Sequence, residues 1–276
     1  MNDKKIKMVA LDLDGTTLNE DKRISPRTVE DFRLAMEKGV HIVVSTGRTF
    51  QSLPEQLYSI EGLEFAVTSN GAHITELATK KTIYENYLSP QAVEAVVCVL
   101  RETGLSVETF VDGKAYIDRR EFEEVRDYGS TYRDAEYILS TRNPVDGIFD
   151  YILAHRERIE NISVNYPFLE DKPKWQALLG SIEGITLTSS FSHNFEIGGA
   201  STSKAEALRF LMKRLGIRPD QLMACGDSPN DAEMIRLAAV GVVMGNASEE
   251  MKKIGDYVTA TNEEDGVAAA IEKVVL

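Results

Sequence analysis

Apolar and polar positions fall in short, regular blocks at both ends of the 276-residue chain, and in a different rhythm between them. Lys7-Met8-Val9-Ala10-Leu11 is an apolar run that stops at Asp12 and reads as a buried strand. Ser25-Pro26 opens a helix, with Ser as N-cap and Pro at the first helical position. Val29, Phe32, Leu34 and Met36 continue it at roughly helical spacing, and Gly39 ends it. His41 to Val44 is a second buried strand, a helix of about ten residues is expected next, and Phe65 to Val67 is a third strand. Strand, helix, strand in quick succession argues for a parallel sheet with right-handed crossovers. The same style returns near the C-terminus. Ser203 and Glu206 form a capping-box pattern before a helix from Lys204 to Leu215. Leu222 to Cys225 is a strand, Ser228-Pro229 opens a helix with Asp231 in its first turn, Gly241 to Met244 is a strand, and Asn262 with Asp265 opens the last helix.

The middle third mixes hairpins with helices. Ser89-Pro90 caps a helix ending near Gly104. Two alternating runs, Val107 to Val111 and Lys114 to Ile117, flank Asp112-Gly113, a strong two-residue hairpin signal. Strands are expected near Ile162 to Val164, Ile185 to Thr188 and Phe195 to Ile197, and a helix near Lys174 to Leu179. The reading is an α/β protein with a Rossmann-like parallel-sheet core from residues 1–83 and 191–276, and an inserted α+β module over 84–190.

Composition narrows the function. Hydrophobic residues make up 43% of the chain, enough for one large core, or for a core domain plus a second, smaller one. A net charge of −13 disfavours sequence-independent nucleic-acid binding and leaves no basic patch for an anionic membrane. An anionic substrate stays open, because a metal ion and a few donors reverse the field locally. Cys98 and Cys225 both sit in apolar runs and read as buried small hydrophobes in a reducing compartment. No run approaches the ~20 apolar residues of a membrane span, and the N-terminus has no signal-peptide pattern, so a cytoplasmic protein is expected. Nothing in the pattern sets an oligomeric state.

Four polar features stand at expected strand ends or helix starts. Asp12-Leu13-Asp14-Gly15-Thr16-Thr17 follows the first strand. Two carboxylates spaced by one residue on extended chain share a side, and one can attack while the other carries a proton. Taken alone, it is also what a turn with solvated carboxylates looks like. Ser45-Thr46-Gly47-Arg48 follows the second strand and offers a hydroxyl and amides to a phosphate, though alone it reads as a plain loop. Lys204 starts a helix, where anions are favoured; alone it reads as a surface lysine. Gly226-Asp227-Ser228-Pro229-Asn230-Asp231 supplies hard oxygen ligands of the kind that suit Mg²⁺, or simply an acidic helix start.

In this order and context the chain resembles the haloacid dehalogenase superfamily of phosphohydrolases, and more narrowly its Cof-like branch with a type IIB α/β cap. D-x-D-G-T is matched by Asp12 to Thr16, the Thr-Gly-Arg motif by Thr46 to Arg48, the lysine motif by Lys204, and G-D-x-x-N-D by Gly226 to Asp231. Ser69-Asn70-Gly71-Ala72, Met244 to Ala247 and Asn262 through Gly266-Val267 match accessory pieces of the branch. The resemblance covers about residues 6–82 and 191–274, and only the layout of the cap.

The resemblance implies a Mg²⁺-dependent phosphatase that forms an aspartyl-phosphate on Asp12. Asp14 is then the general acid and base. Asp12, Gly15, Thr46, Gly47, Lys204 and Asn230 bind phosphate, with Lys204 also countering charge on Asp12. Side chains of Asp12 and Asp227 and the Asp14 carbonyl hold the metal, supported by Asp231 and Asn230. A residue that departs from the pattern is Ala205, where Gly is common; Ala is conformationally easy at the second helical position, so little loss is expected, though it could crowd a large leaving group. A cap closing over the core favours small phosphate esters, either sugar phosphates or nucleotide- or cofactor-like phosphates. His193, Asn194 and Thr141-Arg142-Asn143 could face the substrate, but read more simply as solvated loops. Two alternatives remain: a phosphomutase or phosphotransferase on the same fold, and a non-catalytic binding protein, against which the intact Asp12, Asp14, Lys204 and Asp227 argue.

Overall fold

The computed structural model describes residues 5–276; residues 1–4, the start of the expected core, lie outside the described residues. The chain divides into two compact units. One comprises the chain to Gly47, then Leu53–Glu85 and Ser203–Leu276; the other comprises Arg48–Ser52 and Asn86–Thr202.

The first unit is built on an eight-stranded sheet. Its order is Tyr257–Val258, Val240–Val243, Leu222–Gly226, Met8–Leu11, His41–Ser45, Phe65–Thr68, His73–Glu76, Lys81–Glu85. The first six strands run parallel, and the last two are antiparallel additions that the sequence reading did not foresee. Met8–Leu11 is buried at every position, as a central parallel strand covered on both faces must be. One face packs Met8, Ala10, Val43 and Val67 against Ala205, Leu208, Leu211 and Met212 of the helix Lys204–Leu215. Ser25 and Ser203 cap their helices as expected, accepting from Thr28 N and Glu206 N.

Between His41–Ser45 and Phe65–Thr68 the expected helix is absent. Two short 3-10 turns, Phe50–Ser52 and Glu55–Ser59, stand there instead. Pro54 lies between them; it lacks an N–H and pushes Leu53 away from helical backbone.

The second unit holds a six-stranded sheet in the order Ile185–Thr188, Asn194–Gly199, Ile159–Asn165, Ser106–Val111, Lys114–Asp118, Arg142–Val145. The hairpin signal holds: Asp112 and Gly113 have φ of 53° and 72°, the paired left-handed geometry of a tight two-residue turn. This unit extends to Thr202, beyond the boundary read at 190, because Asn194–Gly199 pairs with both Ile159–Asn165 and Ile185–Thr188. Arg142, read as a loop residue, lies on the edge strand, and its guanidinium joins that of Arg133 on the buried Glu108 carboxylate. Asn194 is also no solvated loop residue. Its Oδ1 accepts from Ser189 Oγ and from the amides of Ser190 and Phe191, fastening its own turn. Cys225 is buried as expected, but Cys98 is exposed. The helix Pro90–Leu100 buries Ala92, Val93, Val96, Val97 and Leu100, a stripe that leaves residue 98 on the outer side.

Candidate active site

Sheet register assembles the site. Leu11 lies level with Val44 on one side and Cys225 on the other, so the chain leaves the three central strands together at Asp12, Ser45 and Gly226. These are the carboxyl ends of parallel strands, where open α/β sheets bind ligands. Asp12 N donates to Cys225 O at 3.1 Å, and Thr17 Oγ1 donates to Asp12 O at 2.5 Å, so the backbone of Asp12 is held from both sides.

Lys204 enters from the first turn of its helix. It is 1% exposed, not the surface lysine that a single Lys suggests, and its Nζ donates at 2.6 Å to both Asp12 Oδ1 and Asp231 Oδ1. Asp231 Oδ2 accepts from the amides of Asp227 and Ser228, each at 3.0 Å. Asp227 accepts from Thr16 Oγ1 at 3.0 Å and from Ser228 Oγ at 2.8 Å. Asp12, Asp227 and Asp231 each bring a carboxylate oxygen within 4.8 Å of the others. Among them Asp231 is committed through both oxygens to Lys204 and to backbone amides, which leaves Asp12 and Asp227 to meet a cation.

Two buried carboxylates and one part-buried carboxylate against one ammonium make a site short of positive charge. Burial raises the Asp12 pKa well above the ordinary carboxylate range; Asp231 adds to this and Lys204 opposes it. Burial also opposes the Lys204 ammonium, but Asp12 and Asp231 more than offset that and raise its pKa. Asp227 is pushed up to about 6, by burial first and the Asp231 carboxylate second, with hydrogen bonds from Ser228 and Thr16 pulling the other way. An oxygen-rich cluster of this charge fits a hard divalent cation such as Mg²⁺.

The remaining expected residues are close by in the same unit. Asp14 is half exposed, and Lys22 lies 3.6 Å from its carboxylate. Gly15 has φ +75°, and a Cβ there would stand 2.7 Å from Asp227 Oδ2, so this turn needs glycine twice over. Thr46 is buried, with its amide bonded to Val67 O, and Gly47 follows it. Asn230 Nδ2 donates to Asn70 Oδ1 at 3.0 Å, and Asn70 N donates to Thr46 O at 3.1 Å, so one chain of bonds links the second and fourth motifs. Ala205 is buried within the apolar cluster of its helix.

Sequence reasoning missed the roles of Thr16, Ser228 and Asn70. Thr16 and Ser228 lay inside quoted motifs, but hydroxyl contacts to Asp227 leave no mark in residue spacing. Asn246 Nδ2 donates to Gly15 O at 2.8 Å, and Asn262 Nδ2 to Leu18 O at 2.9 Å, so two accessory segments fasten the loop after Asp14.

Residues 9–271 match the family model of haloacid dehalogenase-like hydrolases. The chain is 32% identical over 274 residues to the 5-amino-6-(5-phospho-D-ribitylamino)uracil phosphatase YcsE of Bacillus subtilis (strain 168), covering 99% of this chain and 98% of that protein. Among solved structures, a haloacid dehalogenase-like hydrolase from B. subtilis superposes with a TM-score of 0.83 at 28% identity, covering 97% of this chain and 99% of that one. A sugar phosphatase of haloacid dehalogenase subclass IIB shares the fold, with a TM-score of 0.82 at 23% identity over 97% of this chain and 98% of that one. Among the described residues no helix is long and apolar enough to cross a membrane.

Proposed function

The chain belongs to the haloacid dehalogenase-like hydrolases, as a phosphatase of the Cof-like branch, and from that premise we propose that it hydrolyses small phosphate monoesters through an aspartyl-phosphate on Asp12, with Mg²⁺ as cofactor. The observation that carries the proposal is the Lys204 ammonium, buried and shared at 2.6 Å between Asp12 and Asp231 beside Asp227.

Asp12 is the nucleophile. Its carboxylate attacks phosphorus, the bond to the ester oxygen breaks, and the Asp14 carboxyl gives its proton to the departing alkoxide. Asp14 then takes a proton from water as that water attacks phosphorus, the bond to Asp12 breaks, and inorganic phosphate leaves with Asp12 restored. Lys204 has three donors and spends two on Asp12 and Asp231, which leaves one for a phosphoryl oxygen. Thr46, the amides at Gly15 and Gly47, and Asn230 hold the other phosphoryl oxygens. Asp12, Asp227 and the Asp14 carbonyl would hold Mg²⁺, which would supply charge neutralisation between the attacking carboxylate and the phosphate dianion.

Substrate choice is assigned to the second unit, as a cap. The relative named for a uracil bearing a phosphorylated sugar-alcohol chain supports an ester of that kind, a phosphorylated polyol or sugar carrying a heterocycle. The test is phosphate release from a panel holding that compound, hexose phosphates and nucleoside monophosphates, with Mg²⁺ and with excess chelator. Asp12→Asn is expected to fold normally and to lose activity by orders of magnitude. Turnover in that variant near the parent level, or full activity in chelator, refutes the mechanism; transfer to a sugar hydroxyl in place of water makes the protein a phosphotransferase.

A further inference from the structure

The turn Ser69–Gly71 has an unusual backbone. Ser69, Asn70 and Gly71 follow one another with φ of 50°, 55° and 98°. Two successive non-glycine residues in the left-handed region are uncommon, and such backbone persists where its surroundings hold it in place. Here three neighbours do so. Asn70 N donates to Thr46 O at 3.1 Å. Asn70 Oδ1 accepts from Asn230 Nδ2 at 3.0 Å. Gly71 lies so close to the start of the lysine helix that a Cβ there would sit 2.1 Å from Ser203 O and 2.9 Å from Lys204 N. The turn therefore abuts Thr46, Lys204 and Asn230, three of the residues given to phosphate binding above.

The Asn70 side chain is 5% exposed, and its Nδ2 has no hydrogen-bond partner among the described residues. A buried amide donor left unmatched costs stability, so such a group calls for an explanation. The acceptor that the proposed reaction brings to this corner is a phosphoryl oxygen. The donor suits it: a neutral amide binds a dianion without adding to the crowd of titrating groups around Asp12.

We propose that Asn70 is a phosphate-binding residue, donating from Nδ2 to a non-bridging oxygen of the phosphoryl group held by Thr46 and Lys204. This rests on the phosphatase reading of the site. Its backbone and Oδ1 bonds aim the amide, and the left-handed turn brings that amide to the strand ends.

Two variants separate binding from folding. Asn70→Asp keeps the shape, tolerates left-handed backbone and retains an oxygen for Asn230, but replaces the donor with an acceptor. Asn70→Gly keeps the backbone and removes the side chain. With p-nitrophenyl phosphate as substrate and orthovanadate as inhibitor, both are expected to lower kcat/KM and weaken vanadate inhibition by about tenfold or more, the worth of a hydrogen bond to a charged group. Asn70→Asp should be the worse of the two, and Tm should stay near that of the parent protein. An active parent with unchanged kcat/KM and vanadate affinity in both variants overturns the assignment, whether or not Tm falls. A parent protein that releases no phosphate from any ester overturns the phosphatase reading, and this proposal with it.

Discussion

Replacing Asp227 by Asn removes one negative charge from the carboxylate cluster with little change of shape, and the metal-free protein should become more stable. Thr16 Oγ1 can still donate to the retained oxygen, and the Ser228 hydroxyl can rotate to accept from the new amide. The size of the effect follows from the raised pKa. A carboxyl with a value of 3.8 when exposed and about 6 in the fold carries an ionisation cost of about 3 kcal/mol in the folded state. The sign follows from linkage. Between these two values the folded state holds more protons than the unfolded one, so stability is fully present below pH 3.8 and is lost as pH rises to about 6. In excess chelator the variant should therefore match the parent near pH 4 and exceed it by up to about 3 kcal/mol at pH 8, read from urea unfolding midpoints. Adding Mg²⁺ should reverse the order. At about 1,000 times its dissociation constant the ion would stabilise the parent by about 4.1 kcal/mol, while the variant, lacking a ligand, should gain far less and show no Mg²⁺-dependent turnover. A variant no more stable than the parent at pH 8 in chelator refutes the electrostatic argument. A variant stabilised equally by Mg²⁺ refutes the ligand assignment.

Two further substitutions probe the same cluster. Lys204→Met removes the ammonium bonded to Asp12 and Asp231; urea unfolding at pH 8 without metal should show a loss of about 3–5 kcal/mol, shrinking at acid pH as the carboxylates take up protons. Gly15→Ala forces a side chain into left-handed backbone and against Asp227; a stability loss of about 1–2 kcal/mol is expected, together with a raised Mg²⁺ concentration for half-maximal activity, measured by titrating metal into the phosphatase assay.

The core of the site was legible in the sequence because its residues sit where the chain must change direction. Asp12, Thr46 and Asp227 each follow an apolar strand run, and parallel pairing in register carries all three to the carboxyl end of the central strands. Lys204 was legible by position, one residue past a capping Ser, but its burial was not, since the groups that make burial tolerable lie 192 and 27 residues away. What escaped was either non-periodic or tertiary. The helix Arg119–Tyr128 buries only Val125, with Phe122 partly buried beside it, so its apolar stripe is short among many charged residues. The added strands His73–Glu76 and Lys81–Glu85 gave no sign of direction before their pairing was seen. The Asn70–Asn230 bond joins residues 160 apart, and no spacing rule reaches that far.

Asp227 and Asp231 look alike in the sequence: two aspartates at one helix start, four positions apart. Their surroundings separate them. Asp231 is fully buried, with both carboxylate oxygens saturated by an ammonium and two amides, so its charge is spent holding Lys204 and the Asp227 backbone in place. Gly226 leaves room for it, since a Cβ there would meet Asp231 Cβ at 2.4 Å. Asp227 has hydroxyl partners, which rotate and share, and a pKa raised partly by Asp231 itself. Thus the structural aspartate makes its part-buried neighbour costlier to ionise and a better seat for a cation. The division holds Asp12 near Lys204 on one side and leaves Asp227 short of positive charge on the other. Under the proposed reading, metal binding would offset instability already built into the fold, and the same carboxylates that weaken the metal-free protein would be the ones its chemistry needs.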